Sequence, residues 1–234
     1  MKHWMFIKKI LSRNYWAILY FNFKMLPFEQ AVRLPFVFFH KVRFGDLSGT
    51  VLLNSPNVHR GMIKIGKLGS GMFPRNHTVI NIEGFVQFTG RTNLGCGSLL
   101  NVKKNAKVFL GDKVSISANS KIYCEESISF GNQINVSWEC QIFDTDFHYM
   151  QSLDNGSLFA RTRPVTIGSY CWIANRVNVM KGTVLPDHTI VASNSLCNKD
   201  YSNISEYSVV GGSPAKLLKQ GVKRMFEGID IKNP

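Results

Sequence analysis

The sequence predicts an all-β fold in which the chain winds into stacked coils of short strands. In the C-terminal half, an apolar residue recurs at every sixth position, and a small or β-branched residue follows each of the first five of these anchors by four positions. Repeats of short, fixed period are typical of solenoids, in which each repeat packs on its neighbours. The anchors are Ile167, Ile173, Val179, Leu185, Val191 and Cys197, and the small residues are Cys171, Val177, Thr183, Thr189 and Ser195.

The same spacing continues upstream in three further phases. Three hexads would close one coil, so the sixteen hexads predict roughly five coils stacked at about 4.8 Å. Several hexads open with an apolar–glycine–polar triplet such as Leu110-Gly111-Asp112, and we expect the glycine to tolerate the bend at a corner. An antiparallel sandwich would instead alternate with period two. The upstream anchors are Ile82, Phe88, Leu94, Leu100, Leu110, Ile116, Ile122, Phe130, Val136 and Ile142.

Composition divides the chain into three segments. Residues 1–43 interleave aromatic residues with eight Lys or Arg against one Glu, a net charge of +7 within a total of +13. This basic, aromatic-rich segment, predicted to be helical or extended, could pack on the main domain, pair subunits or lie on a membrane, and we expect peripheral membrane contact. Residues 44–215 are predicted to hold the β-helix, and residues 216–234 a C-terminal helix or tail.

The composition argues against several other classes. The longest apolar runs, residues 15–21 and 35–39, fall far short of the roughly 20 residues that a membrane-spanning helix needs. Five cysteines without a CxxC pair, and no recognisable signal peptide, lead us to expect a reducing, cytoplasmic location at the inner face of the membrane. No metal-ligand spacing appears. The aromatic residues of the basic segment do not indicate a nucleic-acid partner.

The longest interruption of the repeat lies between Ile142 and Ile167 and contains a loop at residues 143–164. A loop that extends from one point of a rigid stack is well placed to cover a substrate. Asp144, Asp146 and His148 stand at the root of this loop. A carboxylate that accepts a hydrogen bond from one ring nitrogen leaves the other nitrogen free to take a proton, so these residue types favour a general base.

Residues 60–220 resemble the hexapeptide-repeat acyltransferases, especially the bacterial branch that O-acetylates surface polysaccharides and sugars. The motifs are the hexads, Asp-x-Asp-Phe-His at 144–148, Ile-Gly-x-x-x-Trp-Ile at 167–173, Asn-Lys-Asp at 198–200 and Gly-x-Pro-Ala-Lys at 212–216. The resemblance implies a left-handed parallel β-helix, an exception to the right-handed crossover rule. It also implies a homotrimer with each active site in a cleft between subunits.

The resemblance implies an acetyl-CoA-dependent O-acetyltransferase that needs no metal and acts on a sugar hydroxyl of a surface or capsular polysaccharide or its precursor. His148 would be the catalytic base for direct transfer, and Asp146 or Asp144 would orient its ring. Coenzyme A would lie along the C-terminal coils and the acceptor beside the preceding coil. The implied coenzyme contacts are Trp172, Asn175, Ser193, Asn198, Lys199 and Lys216, and the implied acceptor contacts are Trp138 and Glu139.

Three positions depart from the family's pattern. Ala174 stands where glycine is usual, residues 192–195 replace a Gly-Ala-Gly-Ser-like run, and Glu139 stands where the galactoside branch has Asn. The first two could narrow the coenzyme groove, and the third puts the acceptor geometry in question. Two other functions stay open: N-acetylation of an amino sugar on a nucleotide or lipid carrier, and a non-catalytic β-helix used as a binding module.

Overall fold

The computed structural model describes residues 12–68, 72–74 and 76–225. Two short helices precede a long succession of short strands. The helices are α1 (Tyr15–Met25) and α2 (Phe28–Ala31). The strands are β1 (Phe36–Phe38), β2 (Val42–Phe44), β3 (Thr50–Leu53), β4 (Ile63–Lys67), β5 (Thr78–Ile82), β6 (Phe85–Phe88), β7 (Thr92–Gly95), β8 (Leu99–Val102), β9 (Lys107–Leu110), β10 (Val114–Ile116), β11 (Lys121–Cys124), β12 (Ser127–Phe130), β13 (Asn135–Val136), β14 (Gln141–Phe143), β15 (Val165–Ile167), β16 (Trp172–Ile173), β17 (Asn178–Val179), β18 (Val184–Leu185), β19 (Ile190–Val191), β20 (Leu196–Cys197), β21 (Val209–Gly212) and β22 (Ala215–Lys219).

From β1 to β17, each strand pairs with the strand three places later, and this pairing builds a triangular prism. The first sheet runs β1-β4-β7-β10-β13-β16-β19-β21-β22, the second β2-β5-β8-β11-β14-β17-β20, and the third β3-β6-β9-β12-β15-β18. All pairs are parallel except β21 with β22. The predicted solenoid is therefore confirmed, and three parallel sheets in register are consistent with the left-handed β-helix. The six strands of the third sheet make six complete coils rather than five.

The predicted anchors and small residues form the interior of the prism. All sixteen anchors are buried, as are the five small residues that follow them. Register explains why the period is so regular: Ile116 lies beside Val136, Val136 beside Ile173, and Ile173 beside Val191, each pair one coil apart. Burial of one such stack per side supplies most of the driving force for winding the chain.

The glycines of the triplets serve a different purpose from the one predicted. A Cβ added at Gly131 would lie 2.6 Å from Ser169 Oγ, and one at Gly168 would lie 2.6 Å from the backbone N of Asp187. Glycine therefore permits close contact between successive coils. The left-handed backbone conformation falls two residues later, at Gln133 (φ 55°) and Tyr170 (φ 61°), where no glycine is present.

The N-terminal helix α1 covers the open end of the prism. Ala17, Ile18, Phe21 and Met25 face inward. The Phe21 ring packs against Phe36 with ring centroids 4.8 Å apart. Strands β1 and β2 lie at 36–44, so the β-helix begins inside the segment 1–43 that we predicted to be separate. The early coils escaped prediction because their turns are longer and break the six-residue period. Residues 1–11 lie outside the described residues.

The predicted C-terminal helix is absent from residues 216–225. Instead, β22 turns back on β21 and pairs antiparallel with it, from Val209 opposite Lys219 to Gly212 opposite Ala215. This pairing covers backbone groups that would otherwise stand open at the end of the first sheet. Residues 226–234, the rest of the predicted helix or tail, lie outside the described residues. In the described part of the chain, neither helix has the length and apolar character needed to cross a membrane.

Candidate active site

The loop at 143–164 is a two-stranded arm fixed to the prism at its root. The backbone N of Asp146 donates to Arg161 O at 3.0 Å, and that of Arg163 donates to Asp144 O at 3.0 Å. Farther out, Phe159 N donates to Met150 O at 2.9 Å. Because these bonds tie the two strands together, the arm leaves the corner between the second and third sheets in a defined direction.

Asp144 is a structural residue at the root of this arm. Its side chain is fully buried. Its carboxylate accepts the backbone N–H groups of Glu125, Glu126 and Ser127, at 2.8, 2.8 and 2.7 Å, all from the preceding coil. The thiol of Cys124 donates to it as well, at 3.2 Å. These bonds occupy the carboxylate, so Asp144 does not orient His148 by direct contact, contrary to one of the two predicted assignments.

Asp146 is engaged by a lysine of the following coil. Lys181 Nζ lies 2.5 Å from Asp146 Oδ2. The same ammonium donates to the backbone oxygen of Ala160 on the returning strand of the arm. Lys181 therefore connects both strands of the arm to the prism. Within the described chain, the carboxylate of Asp146 faces this lysine rather than the imidazole of His148.

His148 itself is exposed, and no described residue hydrogen-bonds its ring. It follows Phe147, whose backbone is left-handed (φ 65°). The Phe147 ring packs on Tyr123 and Phe143, with centroids 4.9 and 5.5 Å apart. These contacts fix the turn that presents the imidazole, and they leave both ring nitrogens open to a substrate or a partner.

Trp138 and Glu139 lie at another corner, between the first and second sheets. Glu139 Oε2 accepts a hydrogen bond from Arg176 Nε at 2.8 Å. Trp138 packs against Phe73 at a centroid distance of 6.3 Å, and both line a cavity of about 410 Å³ on the first sheet. Strand β14 separates this corner from the arm. One chain therefore does not bring its own Trp138 and Glu139 together with its own His148.

Trp172 faces outward from the first sheet and is covered by the C-terminal tail. Its Nε1 donates to Ser137 Oγ at 3.2 Å. The guanidinium carbon of Arg224 lies 5.1 Å from the indole centroid. With the Asn135 amide oxygen turned toward Arg224, both terminal nitrogens of the guanidinium lie 2.8 Å from that oxygen. Burial lowers the pKa of Arg224. Arg224 and Asn135 were not predicted to belong to this site.

The remaining predicted coenzyme contacts fall into two groups. Asn175 and Ser193 lie on successive coils at the corner after the first sheet, where Ser193 Oγ donates to Asn175 Oδ1 at 2.7 Å. Asn198 and Lys199 follow β20 at a different corner, and Lys199 Nζ lies 5.3 Å from the Tyr201 ring centroid. Lys216 is exposed on β22. Asn175 and Ser193 thus share the corner that follows Trp172, and Lys216 lies opposite Gly211 on the strand next to β19, whereas Lys199 lies at a different corner.

A ladder of three stacked rings at the corner before the first sheet was missed in the sequence. The ring of Tyr170 lies 4.6 Å from that of His188, at an interplanar angle of 2°, and His188 lies 4.2 Å from Tyr207, at 17°. Tyr170 and His188 each stand three positions after an anchor, Ile167 and Leu185. This constant offset was the available signal that they share a corner.

No set of three or more His, Cys, Asp or Glu residues within the described ranges is arranged to hold a metal ion. All five cysteines are free and buried.

Comparisons with known proteins found relatives among proteins named as acetyltransferases. No protein-family model matches the chain. It is 24% identical over 165 residues to the putative lipopolysaccharide biosynthesis O-acetyl transferase WbbJ of Escherichia coli K12, covering 64% of this chain and 82% of the relative. It is 24% identical over 200 residues to an uncharacterized 24.8 kDa protein in the cps region of Klebsiella pneumoniae, covering 86% of both.

A solved structure shares the fold. The crystal structure of the polySia-specific acetyltransferase NeuO superposes with a TM-score of 0.58 at 16% sequence identity, covering 83% of this chain and 80% of that one. This likeness supports the architecture. The chain therefore has the three-sheet prism of a β-helix and is similar in sequence to proteins named as acetyltransferases.

Proposed function

We propose that the protein is an acetyl-CoA-dependent O-acetyltransferase that modifies a sugar hydroxyl of a surface or capsular polysaccharide or of its precursor. The observation that carries this proposal is the unpaired, exposed imidazole of His148 at the root of an arm that the prism holds rigidly. The relative named for lipopolysaccharide biosynthesis supports a glycan acceptor.

His148 would act as the general base. It removes the proton of the acceptor hydroxyl while the hydroxyl oxygen attacks the thioester carbonyl. The carbon–sulfur bond then breaks, the acetyl group stays on the sugar, and the imidazolium returns the proton to the coenzyme A thiolate. General base catalysis of this kind contributes about 10²–10⁴-fold. Asp144 and Asp146 would support the reaction by fixing the arm, through Ser127 and Lys181, rather than by touching the ring.

Coenzyme A would bind beside Trp172 and at the corner formed by Asn175 and Ser193. Asn198, Lys199 and Lys216 would lie toward its phosphates, where ammonium groups form strong charge-assisted bonds. Trp138 and Glu139 would face the acceptor at the 410 Å³ cavity.

We further propose that three chains assemble, so that His148 of one subunit reaches this surface on the next. The separation of the two surfaces within one chain supports this arrangement. The arm also carries apolar side chains that face solvent, including Leu153 at 99% exposure. Mixed assemblies of His148→Ala and Trp172→Ala chains should then regain transfer. Some of their shared sites combine an intact His148 from one chain with an intact Trp172 from the other. Lack of any recovery in mixtures, or a monomer by light scattering, would contradict shared sites.

The decisive experiment measures release of free coenzyme A thiol from acetyl-CoA with de-O-acetylated polysaccharides and, separately, with amino-sugar nucleotides as acceptors. We expect transfer to a hydroxyl acceptor and a loss of about 10²-fold or more in His148→Ala. The matched control is His77→Ala, which changes an exposed histidine that lines none of the described cavities. Transfer only to amino acceptors would favour the N-acetyl alternative, and wild-type turnover in His148→Ala would remove the assigned base.

The outer face of α1 supports peripheral contact with an anionic membrane on the cytoplasmic side. This helix is apolar on both faces: the side opposite the core exposes Tyr15, Trp16, Leu19, Tyr20 and Phe23. A helix that is apolar all round is usually covered. The exposed cations Lys24, Arg33, Lys41 and Arg43 flank this face. Aromatic and basic residues together favour an anionic lipid interface.

Co-sedimentation with vesicles tests this contact. We expect binding to vesicles with one-third phosphatidylserine, weaker binding as salt rises, and at least fivefold weaker binding for Trp16→Ser/Phe23→Ser. The control Tyr149→Ser/Phe159→Ser removes exposed aromatic residues from the arm instead. Equal binding to neutral vesicles, or an unchanged double variant of α1, would remove the proposal.

A further inference from the structure

Two cavities adjoin on the first sheet and together form one groove. The first, of about 650 Å³, lies at the N-terminal coils, and the second, of about 550 Å³, lies toward the C-terminal coils. Both are lined by Arg91 and Lys113. The groove therefore crosses from the coil of Lys64 to the tail at Lys223, a length of about 24 Å if coils rise by about 4.8 Å each. We call it the basic groove.

The lining of the basic groove is strongly cationic. Neither cavity is lined by an Asp or Glu. None of the groove's lysines and arginines forms an ion pair among the described residues, whose ion pairs involve other cations. Asp112, at the same corner, is held by the backbone N of Arg91 at 2.8 Å. The six cations are Arg13, Arg60, Lys64, Arg91, Lys113 and Lys223.

Arg13 provides a second observation at the wall of the basic groove. Its Nε is buried and has no hydrogen-bond partner within the described chain. Burying a donor without an acceptor is costly. A guanidinium that the protein leaves without a carboxylate, at the wall of a cavity, is suited to an anion supplied from outside.

We propose that the basic groove binds an anionic glycan chain and that this chain is the acceptor of the transferase; the second half of this statement rests on the proposed function. Asn93 lines both the groove and the cavity of Trp138, and so does Ser115. A chain that lies in the groove therefore continues into the cavity proposed for the acceptor. Carboxylate-bearing sugars would pair with the cations, and their hydroxyl groups would meet Asn93 and Ser115.

The ring ladder distinguishes this ligand from a nucleic acid. Single-stranded nucleic acids bind by stacking bases on open aromatic faces. In the groove, both faces of His188 are already covered by Tyr170 and Tyr207. The central ring of the ladder therefore has no open face on which a base could stack, whereas the tyrosine hydroxyls can hydrogen-bond the O–H groups of a sugar.

Binding without acetyl-CoA tests the groove separately from catalysis. The probe is a fluorescently labelled octamer of sialic acid, with a neutral dextran octamer and an oligothymidylate as comparators. We expect the sialic acid octamer to bind at least tenfold more tightly than dextran or oligothymidylate, and Arg91→Ala/Lys113→Ala to bind it at least tenfold more weakly. Lys104→Ala/Lys107→Ala, which removes two charges outside the groove, should stay within about twofold.

A second double variant, Arg60→Ala/Lys223→Ala, removes charge from the two ends of the groove and should also lower the affinity for the octamer. With two independent variants, misfolding of one does not decide the outcome. If binding holds but no acceptor is acetylated, the proposed function fails and the groove stands. Equal affinity for dextran, tighter binding of oligothymidylate, or indifference to both charge-removing pairs would overturn the groove.

Discussion

The carboxylate of Asp144 accepts a hydrogen bond of 2.7 Å from the backbone N of Ser127, one coil earlier in the prism. With the neighbouring bonds from Glu125 and Glu126, this contact ties the root of the arm to the coil beneath it. A residue that the sequence suggested for catalysis thus holds the root of the arm that carries His148, the proposed general base.

We predict that Asp144→Ala lowers the free energy of unfolding by about 3 kcal/mol, because it leaves buried backbone donors without an acceptor. Urea unfolding at fixed protein concentration measures this. Asp154→Ala, at the exposed tip of the arm, should change stability by less than about 0.5 kcal/mol. A stable Asp144→Ala protein that loses only transfer would instead point to direct catalysis.

Lys181→Met should loosen the arm while leaving the prism folded. The substitution removes the ion pair with Asp146 and the bond to Ala160 that connect both strands of the arm to the next coil. We expect faster proteolysis within residues 150–159 and, since small displacements of a catalytic group are costly, a kcat lower by about 10- to 100-fold. Lys104→Met, on an exposed turn, is the control. Unchanged proteolysis would show that the arm is held by other contacts.

The close-packed glycines and the left-handed positions at the corners should differ in their sensitivity to substitution. Gly131→Ala places a Cβ 2.6 Å from Ser169 Oγ and should cost about 1–3 kcal/mol of stability through overpacking. Asn105→Gly, at a left-handed position (φ 68°), should alter stability by less than about 1 kcal/mol, because relief of strain offsets the added freedom of the unfolded chain. Equal unfolding midpoints for the two variants would refute the close-approach explanation.

The five cysteines should be inert in the native protein. All are buried, and burial raises the pKa of Cys140 to about 11 and of Cys171 to about 12. A raised pKa keeps the thiol protonated at pH 8, and the thiolate is the reactive form. We expect no reaction with Ellman's reagent over minutes at pH 8, and reaction of five thiols in guanidinium chloride. Rapid native reaction would show that the coils open.

Much of the fold could be predicted because the hexad pattern is local. Each anchor points inward wherever its coil lies, so Ile116 and Ile173 were recognisable from spacing alone, and the break before Ile167 marked the arm. The first coils could not be predicted in this way, because the turns between β1, β2 and β3 vary in length and hide the period. The C-terminal strand β22 was missed because it pairs antiparallel with β21 and so does not follow the six-residue period.

The same distinction between local pattern and long-range contact applies to the candidate site. By itself, the sequence determined the winding of the chain, the inward residues and the position of His148 on an interruption, since these follow from order and spacing. Only the tertiary structure decided that Asp144 bonds to the coil beneath, that Lys181 holds Asp146, and that cations from distant coils line one groove. The physical reason is that residues in contact along the prism are separated by one full coil of chain. The number of residues in a coil changes with the lengths of its turns and with the arm, so spacing in the sequence does not reveal these contacts.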